Sequence, residues 1–286
     1  MTVRDLTATP SLPPLFAKAA LTQRGRGGDL PAYALRRLGA PVDRDHLLGY
    51  QRICRFGGGD VLPHPYPHVL GFPLQVQLMV DRAFPLALPG LVHLENEITV
   101  HRRLTADDVL DLTVSAERLR PHAKGTVVDL VTVVDVEGER VWEGRSTYLR
   151  RGKGAADAEG CPPAPALPSS PAVGVVRVPE DIGRRYAAVS GDVNPIHLHR
   201  LTARAMGLPR AIAHGMWTYA RALAVLGPQT SGPGTSHVWF QKPVLLPSTV
   251  DVVVDDRAEP TLVGLRSGSG AGTSHLALTF QEGHSV

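Results

Sequence analysis

Tyr186 to Gly215 reads YAAVSGDVNPIHLHRLTARAMGLPRAIAHG, and the way this stretch must turn decides what the rest of the chain can be. It is entered through PEDIGRRYAAVSGD, where proline and acidic residues open a helix that stops near Gly191. Ser190-Gly191-Asp192 leaves that helix through glycine. Asn194-Pro195 keeps the chain turning, because proline forces its predecessor out of the α region. Asp192 and His197 therefore stand on a tight, proline-stiffened loop that can aim a carboxylate and an imidazole at one point. Such a pair, sharing one water, suits proton transfer at neutral pH. Downstream, HGMWTYARALAVLG sets Met216, Tyr219, Ala220 and Leu223 at helical spacing, closed by Gly227 and Pro228. Gly215 begins this apolar helix. First-turn N–H groups lack partners, the helix dipole makes that end positive, and glycine admits a ligand oxygen close to the backbone. The position is a candidate oxyanion hole for a carbonyl becoming an enolate.

Outward from this segment lie two similar series of strand-like stretches. In the front half GLVHLENEITVH is followed by DVLDLTVSAERL, TVVDLVTVVDVEG and ERVWEGRSTYLR; in the back half GTSHVWFQKPVL is followed by STVDVVVDDR, TLVGLRSG and TSHLALTFQE. Apolar and polar residues alternate with period two, as in half-buried antiparallel strands. The two series are offset by about 140 residues, which suggests a duplicated domain. A helical region precedes each series. The elements imply an α+β layout in which a long helix is backed by a strongly curved antiparallel sheet. Residues 152–171, GKGAADAEGCPPAPALPSSP, have the composition of an extended linker. The expected organisation is an arm over 1–29, a front domain over 30–151, the linker, and a back domain over 172–286.

The bulk properties exclude several classes. A formal net charge of +3 with scattered arginines and few aromatics argues against nucleic acid as a partner. No apolar run is long enough for a transmembrane helix, and the first thirty residues lack the apolar core of a signal peptide. Two cysteines, Cys54 and Cys161, make neither a disulfide framework nor a zinc site. A cytoplasmic, membrane-free protein is expected.

The run SGDVNPIH, with AHGM some twenty residues on, resembles the hydratase motif of MaoC-type (R)-specific enoyl-thioester hydratases. The whole chain, with a front half that lacks the motif, resembles double-hotdog (3R)-hydroxyacyl-thioester dehydratases of actinobacterial type. The resemblance implies two hotdog domains, each a central helix wrapped by a curved antiparallel sheet. It makes Asp192 and His197 the catalytic pair, with Asn194 and Ser190 supporting their loop and the Gly215 N–H receiving the thioester oxygen. It implies an acyl-CoA or acyl-carrier-protein thioester as substrate, and neither metal nor redox cofactor. The front half would complete an intrachain pseudo-dimer, leaving room for a further homodimer.

Other residues read more plainly. His214 satisfies backbone groups at a helix start, with contact to substrate as its second reading. His199, Arg204, Arg210 and Lys242 suit a solvated surface. Ser190 has no nucleophile elbow around it. In the front half Asp60 and His64 imitate the pair with the wrong neighbours. Pro63, Pro65, Pro67 and Pro73 predict that the front helix starts only near Leu74, since an interior proline costs about 3 kcal/mol. The irregular stretch before it would open an acyl channel lined by Val69, Phe72, Val76 and Met79. Two other functions compete: a hotdog acyl-CoA thioesterase, and a non-catalytic acyl-binding or partner-stabilising subunit. The intact motif argues against both.

Overall fold

The computed structural model describes residues 1–21, 25–155, 158, 160–268 and 272–283. Residues 22–24 of the expected arm, 156, 157 and 159 of the expected linker, and 269–271 and 284–286 of the back half lie outside the described residues.

All eight strand-like stretches form strands. In front these are β3 (Leu91–Val100), β4 (Leu110–His122), β5 (Gly125–Val136) and β6 (Glu139–Arg151); behind are β8 (Gly234–Phe240), β9 (Ser248–Asp255), β10 (Thr261–Ser267) and β11 (Thr273–Glu282). Three more join them: β1 (Thr2–Asp5), β2 (Tyr33–Ala40) and β7 (Gly174–Val178). The result is one eleven-stranded sheet in the order β1-β2-β4-β5-β6-β3-β8-β11-β10-β9-β7. Leaving β1 aside, that order is palindromic: β2-β4-β5-β6-β3 is mirrored by β7-β9-β10-β11-β8. The mirror line is the antiparallel β3–β8 ladder, which runs from Glu95 opposite Trp239 to Val100 opposite Gly234. Two helix-and-sheet units thus share a single sheet, and the fold is a double hotdog.

Helices line both units. In front are α2 (Arg44–Cys54) and α3 (Tyr66–Met79); behind are α4 (Ile182–Ser190), α5 (Pro195–Leu198), α6 (Arg200–Ala205) and α7 (Gly215–Leu223). Asp43 caps α2, its carboxylate accepting from the N–H groups of Asp45 and His46. Gly191 closes α4 in the left-handed region at φ 69°, which glycine adopts without strain.

The front helix departs from expectation. α3 begins at Tyr66, not near Leu74, and Pro73 lies inside it. Pro67 occupies the first turn, where its missing N–H would have had no intrahelical partner. Pro73 does forfeit a hydrogen bond, but α3 is buried nearly all round, with Tyr66, Leu74, Val76, Leu78 and Met79 at most 1% exposed. Burying each such side chain contributes about 1.5–3 kcal/mol, so together they outweigh the interior proline. α7 also differs: it ends at Leu223 and continues as a 3-10 turn over Ala224–Ser231, bent at Gly227.

The arm region carries β1, paired in parallel with β2, and a helix α1 (Leu12–Leu21) whose Leu15 and Ala19 are buried. The linker region is tied to the back sheet, the Arg266 guanidinium donating to the carbonyls of Pro168 and Ser170. No described helix is long and apolar enough to cross a membrane.

Candidate active site

The loop after α4 is built as its sequence dictates. Ser190 Oγ accepts from the Asp192 N–H at 3.2 Å, Asp192 Oδ1 accepts from the Asn194 N–H at 3.1 Å, and Asn194 Oδ1 caps the short helix α5. Each of these residues holds the next, so the loop has little freedom. α5 carries His197, which is 8% exposed. Its Nδ1 lies 2.8 Å from the Ile212 carbonyl oxygen. A carbonyl only accepts, so Nδ1 holds the proton and the Nε2 lone pair is left for chemistry.

Ile212 is itself fixed on both sides. Its N–H donates to the Ile196 carbonyl, and residues 211–213 bond to Val244 and Leu246 in the crossing between β8 and β9. Behind His197 the backbone of α4 comes close: a Cβ on Gly183 would stand 1.8 Å from the His197 carbonyl oxygen. His197 is thus held on two sides, its backbone against α4 and its ring against the segment leading into α7.

His214, the residue before α7, ties the two catalytic candidates together. Its Nε2 donates to the Asp192 backbone carbonyl at 2.9 Å and lies 3.9 Å from Asp192 Oδ2. Its ring stacks on that of His197 with centroids 3.8 Å apart. Burial holds both imidazoles below the ordinary histidine value; for His197 the Asp192 carboxylate and the Ile212 carbonyl oppose the shift in part, and for His214 neighbouring His197 deepens it. Both rings are therefore neutral at pH 7. Donor atoms of Asp192, His197 and His214 lie within 4.8 Å of one another, so these three residues form the candidate metal-ligand set among the described residues. Two of their ring N–H groups are already engaged with carbonyls, which a bound ion would have to respect.

Gly215 opens α7 as expected, and the Phe240 ring packs where its side chain would be, 3.2 Å from an added Cβ. The remaining candidates separate. Asp60 faces solvent in an ion pair with Arg44 at 3.2 Å, while His64 is buried with Nε2 bonded to the Gly232 carbonyl. Val76 and Met79 belong to the core, 0% and 1% exposed, because α3 is continuous where an opening was expected. Phe72 is half-buried beside His68. Val69 does line a cavity of about 340 Å³, together with Leu12, Arg37, Pro73, Val189 and Gly191. That cavity reaches Ser190, two residues before Asp192. Neither the Ile212 anchor nor the contribution of Leu12, which packs against Gly191 from the arm, is legible in the local sequence pattern.

Residues 167–260 match the family model described as MaoC like domain. The chain is 36% identical over 268 residues to 3-hydroxyacyl-thioester dehydratase X of Mycobacterium tuberculosis, covering 93% of this chain and 95% of that protein. A 74-residue stretch is also 36% identical to 3-hydroxybutyryl-CoA dehydratase of Methylorubrum extorquens, covering 24% of this chain and 47% of that protein. Among solved structures, HtdX of M. tuberculosis superposes with a TM-score of 0.77 at 33% identity, over 87% of this chain and 99% of that one. An actinobacterial relative matched along nearly its whole length places both halves, and not the motif region alone, in one lineage. The chain belongs to the MaoC-like, double-hotdog family of 3-hydroxyacyl-thioester dehydratases.

Proposed function

We propose that the chain interconverts a (3R)-hydroxyacyl thioester and the corresponding trans-2-enoyl thioester plus water, with Asp192 and His197 as the acid–base pair. The observation that carries this reading is the hydrogen bond from His197 Nδ1 to the Ile212 carbonyl, which leaves a neutral, desolvated Nε2 beside Asp192. In hydration His197 Nε2 takes the proton of a water oriented by Asp192; the oxygen bonds to C3, and a proton is returned to C2. Between these events charge collects on the thioester oxygen, where the first-turn N–H of Gly215 stabilises it. Dehydration reverses each step, so water leaves from C3 as the C2 proton is taken. Ser190 and Asn194 hold the loop still while the proton moves.

The chain divides, in this proposal, into a front domain over 30–151, a linker over 152–171 and a catalytic domain over 172–286, with 1–29 as an arm. The front domain serves as an intrachain partner. The cavity beside Val69 receives the acyl tail, and coenzyme A or a carrier protein bears the thioester in the cytoplasm. The test is hydration of crotonyl-, octenoyl- and dodecenoyl-CoA, followed by loss of the enoyl absorbance and chiral analysis of the product. The (3R) enantiomer is expected; a mainly (3S) product, or release of free thiol in its place, would overturn the reading.

A further inference from the structure

His199 and His214 each stand at the start of a helix, yet they use their rings differently. His199 caps α6, its Nδ1 accepting from the Leu201 N–H at 3.2 Å. His214 makes no such bond in α7, and its Nδ1 is buried without a partner. The ring is 2% exposed. It reaches back along the chain, its Nε2–H donating to the Asp192 backbone carbonyl at 2.9 Å. A carbonyl only accepts and burial keeps this imidazole neutral, so the one ring proton sits on Nε2 and Nδ1 is a bare acceptor. A buried acceptor left without a donor is costly, and helix capping does not account for it. What the ring does is done through its other nitrogen and its face.

Three parts of the site meet at this residue. The bond to the carbonyl holds the backbone of Asp192, whose Oδ1 is already engaged by the Asn194 N–H. Asp192 Oδ2 lies 3.9 Å from the same Nε2, beyond hydrogen-bond reach, so His214 grips the backbone and leaves that oxygen to water. The face of the ring stacks on His197, centroids 3.8 Å apart and planes within 25°. Tyr186 of α4 leans on His214 at 5.0 Å and 53°. The next peptide bond carries the Gly215 N–H that opens α7.

We propose that His214 is a positioning residue of the reaction: its Nε2–H fixes the Asp192 backbone against the His197 ring, so that carboxylate, imidazole and the Gly215 N–H keep one spacing while the proton moves. The inference rests on the dehydratase reading of Asp192 and His197. His214 acts without touching substrate. Losing its hydrogen bond therefore misplaces the reacting groups, which costs rate more than binding.

His214→Phe keeps an aromatic ring to stack on His197 and removes the N–H, whereas His214→Gln gives up the ring and keeps a donor. The measurement is kcat and KM for hydration of crotonyl-CoA. His214→Phe should lose roughly tenfold in kcat, the worth of one neutral hydrogen bond, with KM close to that of the parent. His214→Gln should recover most of that loss. A raised KM at parent kcat would make His214 a substrate contact, and parent kcat in His214→Phe would make the ring mere packing; either overturns the proposal, as does a His214→Gln no faster than His214→Phe. Should the variants fold poorly by circular dichroism, the imidazole nitrogen NMR shifts of the parent protein decide. A proton on Nε2 of His214 and on Nδ1 of His197 is expected, and a proton on Nδ1 of His214 overturns the proposal. Asp192→Asn, run alongside, separates the two levels. Full turnover in Asp192→Asn sinks the dehydratase reading of the pair itself, whereas its loss with His214→Phe at parent turnover sinks only the role of His214.

Discussion

α2 follows β2 and α4 follows β7, strands at mirrored places in the sheet order, yet the loops after the two helices do different things. After α2 the chain passes through Gly57-Gly58-Gly59 to an aspartate that pairs with Arg44 at the surface and a histidine whose Nε2 holds the Gly232 carbonyl. After α4 it passes through Gly191 to an aspartate turned inward and a histidine anchored through Nδ1. Both halves supply a carboxylate and an imidazole. Only the back half clamps the imidazole by one nitrogen and leaves the other beside the carboxylate. The difference lies in which ring nitrogen is tied down, and by which element, more than in residue type.

The largest expected effect tests whether the two halves share one vulnerability. His64, His68 and His93 in front and His197 and His214 behind are all held below the ordinary histidine value by burial, His64 and His68 to about 4. Their unfolded counterparts take up protons near pH 6.5. As pH falls below that value the unfolded chain binds protons that the native protein refuses, so stability drops. Each histidine contributes up to about 1.4 kcal/mol per pH unit until its own folded-state value is reached, which for His64 and His68 is about 4. Urea midpoints at pH 7, 6 and 5 should fall steeply, and His64→Gln should flatten the trend. A midpoint independent of pH would show that these rings are not buried neutral.

The catalytic comparison comes next. Asp192→Asn and His197→Gln should each fold normally and lose at least about 100-fold in turnover, the scale of a missing general acid–base group. Asp60→Asn should leave turnover near its parent value. Comparable losses in Asp60→Asn and Asp192→Asn would erase the distinction between the loops.

A smaller effect probes the clamp itself. Gly183→Ala in α4 drives a methyl into the His197 carbonyl, while Gly49→Ala in α2 meets only Val189 at an ordinary 3.5 Å. The first should cost about 1–3 kcal/mol by overpacking and reduce turnover. The second should be neutral or stabilising by up to about 1 kcal/mol, since alanine is the better helix former. Equal melting temperatures would mean that α4 does not press on the segment that carries His197. Smallest of all, EDTA should leave the hydration rate unchanged; a rate lost to the chelator and restored by zinc would show that Asp192, His197 and His214 hold an ion.

Much of this was legible in the sequence where local pattern decides. β3 to β6 and β8 to β11 follow from alternation, and Gly191, Asn194 and Pro195 fix the loop by turn chemistry. β2 and β7 escaped notice because each is short or lies beside proline- and glycine-rich text, and its partner strand lies far along the chain. The cost of proline predicts a late start for α3, but Tyr66, Leu74 and Leu78 are sealed in the core and their burial outweighs that cost. Around the pair, the local sequence singles out Asp192 and His197 as candidates. It could not show that Ile212 would hold Nδ1, because that contact depends on residues 211–213 returning against Val244 and Leu246.

The β3–β8 ladder has one more consequence, in mass action. Two separate hotdog subunits joined through such strands would part on dilution, and their apparent melting point would follow protein concentration. Here the strands that meet are covalently part of one chain. Each therefore sees its partner at an effective concentration set by the intervening residues and not by how much protein the cell holds. The sheet stays whole at nanomolar protein, and the front half remains in place whether or not it retains a catalytic pair of its own.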